Sequence, residues 1–271
     1  MREALVDIAR KAGAEILSIY DTADFGVEMK QDNSPLTLAD LAAHRLIVAE
    51  LTRQFPDIPV LSEESDAIDF GIRSAWDRYF LVDPLDGTKE FIERNGEFTV
   101  NIALIEGHDP VFGVVHVPVK STTYVGDVVA GRAWKYLGDS EQTIQTRAVP
   151  SAELTVVARR RHGSDALKTV LKDLQGAFEQ VSLTSMGSSL KLCLVAEGAA
   201  DFYPRLAPTS EWDTAAAHAV VSAAGGGVFN TKFQPLQYNT KAGLLNPNFL
   251  VIGDPSYDFE GLLIEALSRT P

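Results

Sequence analysis

The chain has 271 residues, 45% hydrophobic and 23% charged, and its 37 acidic against 24 basic residues give a formal net charge of −13. That length suits one large domain or two modest ones, and the acidic surplus excludes a nucleic-acid polymer as partner and docking on an anionic membrane through charge alone. A single cysteine, Cys193, excludes an intrachain disulfide and a cysteine-built zinc site and agrees with a reducing, cytoplasmic setting.

Leu5, Ile8, Ala12, Ile16 and Ile19 recur at helical spacing and predict an amphipathic helix over 3–20. The start of the chain carries charges and no apolar h-region, so no signal peptide is expected. A second helix is predicted over 38–54, with Leu41, His44, Val48, Leu51 and Phe55 on one stripe and His44 as a satisfied core histidine. Apolar runs at 58–61 and 79–82 fit buried strands. Between 99 and 136, β-branched runs separated by Gly107, Gly126 and Gly131 predict an antiparallel meander. Beyond residue 146 strands (154–158, 178–181, 201–203, 249–252) alternate with helices (164–174, 188–196, 212–223, 257–268). The first half therefore reads as α+β and the second as α/β, with an N-terminal subdomain over 1–146 and a C-terminal one over 147–271. The longest uncharged run, 214–231, is too interrupted to cross a bilayer, so no integral membrane segment is expected. Its Gly225-Gly226-Gly227 reads as a helix C-terminal turn.

The most informative stretch is Leu81-Val82-Asp83-Pro84-Leu85-Asp86-Gly87-Thr88-Lys89-Glu90-Phe91-Ile92. An apolar strand runs into Asp83, and Pro84 holds that residue extended and ends the strand. Asp86 follows in a turn completed by Gly87, and a helix opens at Thr88, where free backbone N–H groups favour an anion. The plain alternative is a strand-to-helix junction with Asp86 as N-cap. Asp83, however, lies inside an apolar run where an unpaired carboxylate is costly, and a divalent cation held by oxygens would neutralise it. Acids recur at other junctions. Ser62-Glu63-Glu64-Ser65 follows a strand and otherwise reads as an acidic first helical turn. Trp212-Asp213-Thr214 opens a helix and otherwise reads as an N-cap, and Thr37-Leu38-Ala39-Asp40 fits a capping box.

Glu63-Glu64, Asp83-Pro84-Leu85-Asp86-Gly87-Thr88 and Trp212-Asp213-Thr214-Ala215-Ala216 resemble the three signatures of the inositol monophosphatase-like, lithium-sensitive phosphatases. Within that family, Asp32-Asn33-Ser34-Pro35, Lys89-Glu90-Phe91, Asn95-Gly96-Glu97-Phe98-Thr99-Val100-Asn101 and Gly187-Ser188-Ser189-Leu190-Lys191 are similar to bacterial 3'(2'),5'-bisphosphate nucleotidases. The resemblance implies a layered α-β-α-β-α sandwich with the site between two subdomains. It implies Mg²⁺, two or three ions, held by Glu63, Asp83, Asp86, Asp213 and the carbonyl of Leu85. It implies Asp40 as the partner of Thr88 in activating water and Glu63 as a catalytic residue that helps orient that water, with Gly87 and Thr88 on the phosphate and Asp86 and Asp213 also facing the substrate. The implied reaction is hydrolysis of adenosine 3',5'-bisphosphate to AMP and phosphate in sulfate assimilation, with inhibition by lithium. The family also includes enzymes peripheral to the inner membrane. Paired divalent cations about 3.5–4 Å apart suit this reaction, because they activate the attacking water and stabilise the leaving oxygen.

A second phosphate needs cations. Ser188 and Lys191 fall three apart at a predicted helix start, which reads equally as a phosphate site or as an N-capping serine beside a solvated lysine. The basic run Arg159-Arg160-Arg161-His162 matches the nucleotidases at Arg160 and His162 and departs at Arg159 and Arg161. Arg205 is a further match for the nucleotide pocket. The competing readings are an inositol monophosphatase or fructose-1,6-bisphosphatase, and a non-catalytic metal- or phosphate-binding regulator. The Lys89-Glu90-Phe91 and Ser189-Leu190-Lys191 blocks favour the nucleotidase, and the complete acid set counts against the regulator.

Overall fold

Two mixed sheets, each covered on both faces by helices, order the chain. The computed structural model describes residues 1–22, 26–29, 35–150, 152–158 and 164–268. The first half contains α1 (Arg2–Tyr20), β1 (Glu28–Met29), β2 (Pro35–Leu36), α2 (Leu38–Gln54), β3 (Val60–Ser62), α3 (Phe70–Arg73), β4 (Arg78–Asp86) and α4 (Thr88–Ile92). It continues with β5 (Thr99–Glu106), β6 (Asp109–Val117), β7 (Thr122–Asp127), β8 (Arg132–Leu137) and β9 (Ser140–Ile144). The second half contains β10 (Glu153–Val157), α5 (Asp165–Ala177), β11 (Gln180–Thr184), α6 (Leu190–Ala196), β12 (Phe202–Arg205), α7 (Glu211–Ala223), β13 (Gly227–Asn230), β14 (Phe249–Ile252) and α8 (Phe259–Ser268). Strands β3 to β9 form a seven-stranded sheet in chain order, parallel only between β3 and β4. The other sheet runs β11-β10-β12-β14-β13, parallel through its first three strands.

The layers follow from side-chain alternation. On β4, Phe80 and Val82 join α1 and α2 in one core, and Tyr79 and Leu81 join α6 and α7 in another. A third core lies between the second sheet and α5 with α8. The order is therefore helices α1 and α2, sheet, helices α6 and α7, sheet, helices α5 and α8, as the layered expectation requires. No helix among the described residues is long and apolar enough to cross a membrane.

The helix α7 comes from the second half of the chain but lies on the first sheet, against β4 to β7. It can do so because both surfaces are small. Ala215, Ala216, Ala217 and Ala219 are buried. They meet Gly113 on β6 and Gly126 on β7, where a Cβ would come 2.1 Å from the carbonyl oxygen of Ala216 and 2.5 Å from that of Ala219. Gly126 is thus no meander turn; it lies inside β7, and the turns fall at Gly107 and Gly131 with φ of 58° and 59°.

Other expectations are corrected. Strand β4 does not stop at Pro84 but runs to Asp86 through a bulge, with Asp83 opposite Asn101 and Asp86 opposite Thr99. Proline is tolerated there because a bulge asks for no ladder donor. No helix follows Ser62 directly: Glu63 and Glu64 occupy a turn, and α3 begins at Phe70. Strand β11 begins at Gln180, because Phe178 closes α5 by donating to Leu174. Helix α2 buries Ala39, Asp40, Ala43, Ile47 and Leu51, so its inner stripe runs beside the larger residues chosen from the sequence. Strands β1, β2, β9 and β13 and helix α3 are additional.

Candidate active site

Alternation on β4 points Asp83 to the α7 side, next after Tyr79 and Leu81. The bulge brings Asp86 to the same site, and Asp83 Oδ1 secures it by accepting from the Leu85 N–H at 3.0 Å. The helix that would accept Asp86 as N-cap is capped instead by Gly87, whose φ of 92° is the left-handed conformation glycine adopts freely. Above them, α7 opens with a capping box in which the Ser210 N–H donates to Asp213 Oδ2 at 2.9 Å. Asp213 is therefore the third helical residue of the box, not the N-cap, and its other oxygen is left for the site. Carboxylate oxygens of Asp83, Asp86 and Asp213 lie within 4.8 Å of one another.

Such an arrangement repels itself. Burial pushes the Asp83 carboxyl well above the usual carboxylate range, and Glu63, Asp86, Asp213 and Asp40 push it the same way. Burial, then Asp86, raises Asp213 well above that range, against the Ser210 bond and Arg205. Burial pushes Asp86 up to about 6, against the pull of Lys191 and the Ser189 N–H. Three converging carboxylates fit a hard divalent cation, which prefers oxygen donors. Glu63 stands outside the triad, but its charge acts on Asp83, Asp40 and Asp213. The Glu63 N–H donates to Val82 O at 3.1 Å, which fixes the turn beside β4.

Asp40 and Thr88, 48 residues apart, meet beside the triad. Thr88 Oγ1 donates to Asp40 Oδ1 at 3.3 Å, with Leu85 O at 3.4 Å as its alternative acceptor. Asp40 Oδ2 accepts from the Thr37 N–H at 2.8 Å and the Thr37 hydroxyl at 2.5 Å. The capping box is thus real, and it leaves one carboxylate oxygen to Thr88. Burial raises the Asp40 carboxyl above its usual range, and the Thr37 bonds oppose that rise. His44 bonds Ser62 Oγ at 2.9 Å and is satisfied as expected, but it is half-buried and not a core residue.

A polar cavity of about 150 Å³ opens on Asp86 and Asp213 of the triad and is also lined by Gly87, Ser188, Lys191 and Arg205. It adjoins a more apolar cavity of about 430 Å³ lined by Val157, Met186, Leu206 and others, the two sharing Lys191, Tyr203 and Arg205. Ser188 is not on the helix. It adopts φ of 44°, and α6 begins at Leu190, so Lys191 Nζ folds back to donate to the Ser188 carbonyl at 3.0 Å. Ser188 Oγ, Arg205 Nε and Thr209 Oγ1 are buried without hydrogen-bond partners, and all three residues line the polar cavity. Arg160 and His162 lie outside the described residues. Thr209 and Tyr203 were not foreseen, and nothing local in the sequence marks them.

The chain matches the inositol monophosphatase family over residues 1–269. It belongs to the inositol monophosphatase family. Among family members, the 3'(2'),5'-bisphosphate nucleotidase CysQ of Escherichia coli (strain K12) is 48% identical over 93% of this chain and 99% of that protein. The CysQ of Salmonella typhimurium is 49% identical over the same shares. The crystal structure of CysQ from Bacteroides thetaiotaomicron, 46% identical, superposes with a TM-score of 0.81 over 93% of this chain and 97% of that one. The extragenic suppressor protein suhB of Bartonella henselae, 23% identical with a TM-score of 0.76 over 100% of this chain and 99% of that one, shares the fold.

Proposed function

We infer that this chain is a metal-dependent 3'(2'),5'-bisphosphate nucleotidase converting adenosine 3',5'-bisphosphate and water to AMP and phosphate. The observation that carries this reading is the junction of the two cavities at Lys191, Tyr203 and Arg205. A phosphate monoester lodged at the carboxylates would extend its nucleoside into the wider cavity and keep its second phosphate beside two cationic side chains. The whole-length likeness to proteins named as nucleotidases supports the same substrate.

Asp83, Asp86 and Asp213, with Glu63 and the Leu85 carbonyl, would hold Mg²⁺, two or three ions. When bound, the cations supply a Lewis acid for the attacking water and for the leaving oxygen. The chain's own residues do the rest. Gly87 and Thr88 open α4, where backbone N–H groups lack intrahelical acceptors and can hold phosphate oxygens. Thr88, donating to Asp40, keeps its lone pairs for a proton of the attacking water. As the water oxygen bonds to phosphorus, Thr88 takes that proton and passes its own to Asp40. The bond between phosphorus and the 3' oxygen breaks, and solvent protonates the alkoxide. Ser188, Lys191 and Arg205 hold the second phosphate. A cytoplasmic setting suits the single buried thiol, Cys193.

The test is kcat/KM, with Mg²⁺, for adenosine 3',5'-bisphosphate against inositol 1-phosphate. A preference for the bisphosphate of tenfold or more, about 1.4 kcal/mol, is expected. A preference for inositol 1-phosphate would replace the reading, and nucleotide binding without phosphate release would make the protein a regulator.

A further inference from the structure

Behind Asp86 lies a set of buried polar groups that bond to one another and to its carboxylate. Thr99 and Asn101 are fully buried and Ser189 is 2% exposed. Polar groups so placed are costly unless they bond, and here each bond has a defined direction. Asn101 Oδ1 can only accept, so the Ser189 hydroxyl donates to it at 2.9 Å. That spends the one proton of Ser189, and Thr99 must donate to Ser189 Oγ at 2.8 Å. The amide of Asn101 is then fixed with Nδ2 toward Asp86 Oδ2 at 3.4 Å. The opposite amide orientation would set two oxygens against each other. The Ser189 N–H donates to the same Oδ2 at 2.5 Å.

We propose that Thr99, Asn101 and Ser189 are positioning residues: Asn101 Nδ2 and the Ser189 N–H engage one carboxylate oxygen of Asp86, Thr99 and the Ser189 hydroxyl orient that pair, and the other oxygen is turned toward the cation site. The register of the sheet makes this possible, because Asn101 and Thr99 lie directly opposite Asp83 and Asp86 across the β4–β5 ladder. The third member comes from the other half of the chain. Ser189 adjoins Ser188 at the polar cavity, so the segment beside the second-phosphate site also sets the carboxylate. Loop 185–189 is tied to the first half once more, by the Gly187 N–H donating to Glu97 Oε2 at 2.6 Å. The inference rests on the metal-dependent reading of the site. Hydrogen-bonded partners of a metal-ligating carboxylate hold its orientation, and losing one costs about 10–100-fold in metal affinity or activity.

The experiment titrates Mn²⁺ alone, an oxygen-seeking stand-in for Mg²⁺, into the substrate-free full chain and reads free Mn²⁺ by electron paramagnetic resonance. Wild type is compared with Asn101→Leu, Ser189→Ala, Ser189→Thr and, as control, Thr123→Val. Thr123 is a buried β7 residue whose hydroxyl bonds His116 and not the carboxylates. Asn101→Leu is expected to weaken Mn²⁺ binding about tenfold and Ser189→Ala severalfold, with Ser189→Thr restoring it by keeping the hydroxyl. The half-saturating metal concentration in turnover should rise by the same factors. At saturating metal kcat should recover, and KM for the nucleotide should stay within twofold. Thr123→Val should lower Tm without moving Mn²⁺ affinity. If Asn101→Leu does not fold, Ser189→Ala, which removes one oxygen and keeps the backbone, decides alone. Wild-type binding with Ser189→Ala unchanged overturns the positioning role and leaves the metal site standing. Absence of Mn²⁺ binding by the wild type overturns the metal site and the positioning role together.

Discussion

The two ends of the cleft are built on opposite plans. At the acidic end, each carboxylate is held by backbone geometry: Asp83 and Asp86 by the bulge of β4, Asp213 by the capping box of α7. At the basic end, Ser188 and Thr209 lie in connecting segments and Arg205 ends a strand, and polar atoms of all three are buried without partners. The acidic end is thus complete except for positive charge, and the basic end is incomplete in hydrogen bonds. The difference teaches what each end awaits. A cation answers the first, and an anion with several acceptor oxygens answers the second.

The strongest way to break this comparison is Asp86→Asn. It keeps the shape and removes one charge from the triad, so kcat/KM for adenosine 3',5'-bisphosphate should fall on the order of 10²–10³-fold, the scale of losing one group that stabilises transition-state charge. Turnover near wild type at saturating Mg²⁺ would remove Asp86 from the cation site. A smaller loss should come from a residue that touches no ligand. Gly113→Ala places a methyl 2.1 Å from the Ala216 carbonyl oxygen and must lift α7 from the sheet. Overpacking of this kind costs about 1–3 kcal/mol of stability. A displacement near 1 Å at Asp213 costs roughly 10²-fold in rate. Tm and kcat should fall together, and a stable variant with full kcat would show that α7 does not set the Asp213 position.

The basic end is probed by Lys191→Ala and Arg205→Ala. Each removes a charge-assisted contact worth about 1.5–3 kcal/mol, so KM for the bisphosphate should rise about 10–100-fold. Hydrolysis of 3'-AMP, which lacks the second phosphate, should change far less. Equal losses on both substrates would place these residues on the reacting phosphate.

The acids of this site were legible because each sits at a junction with its own local chemistry. Asp83 stands in an apolar run before a proline, Asp40 closes a capping box, and Asp213 opens a helix. What was not legible depends on distant surfaces. Gly126 looks like a turn, and only the helix lying on it shows that it serves close approach. The buried stripe of α2 was misplaced because Leu41, His44 and Val48 outweigh Ala39 and Ala43 on hydrophobicity, whereas the inner face needs small residues beside Asp40. Asn101 and Thr99 did leave a trace. They are the polar members of a period-two strand whose other inward positions are Ala103 and Ile105, and a strand facing apolar helices on both sides has no place for them without partners.

The weakest expected effect is the pH dependence of stability, and it separates the carboxylates from other buried groups. With folded pKa raised from 3.8 to about 6 by burial, Asp86 binds a proton in the native, cation-free protein where the unfolded chain does not. Stability without metal is therefore lost as pH rises between about 4 and 6, and Asp83 and Asp213, also raised, add to the loss. Buried His116 and His218 act in the opposite sense. Burial lowers them from 6.5 to about 4 and about 3, so they remain neutral while the unfolded chain protonates, and their contribution grows as pH rises toward 6.5. A single Tm profile mixes the two, but the histidines lie outside the triad and are the same with and without metal. The difference between profiles with excess Mg²⁺ and in metal-free buffer isolates the carboxylates. It should be near zero at pH 4 and reach on the order of 5 °C by pH 7, from about 2.7 kcal/mol of binding at a hundredfold excess over Kd. A difference independent of pH would mean that the cation binds without displacing those protons, and the acidic end would then need another explanation for its three converging carboxylates.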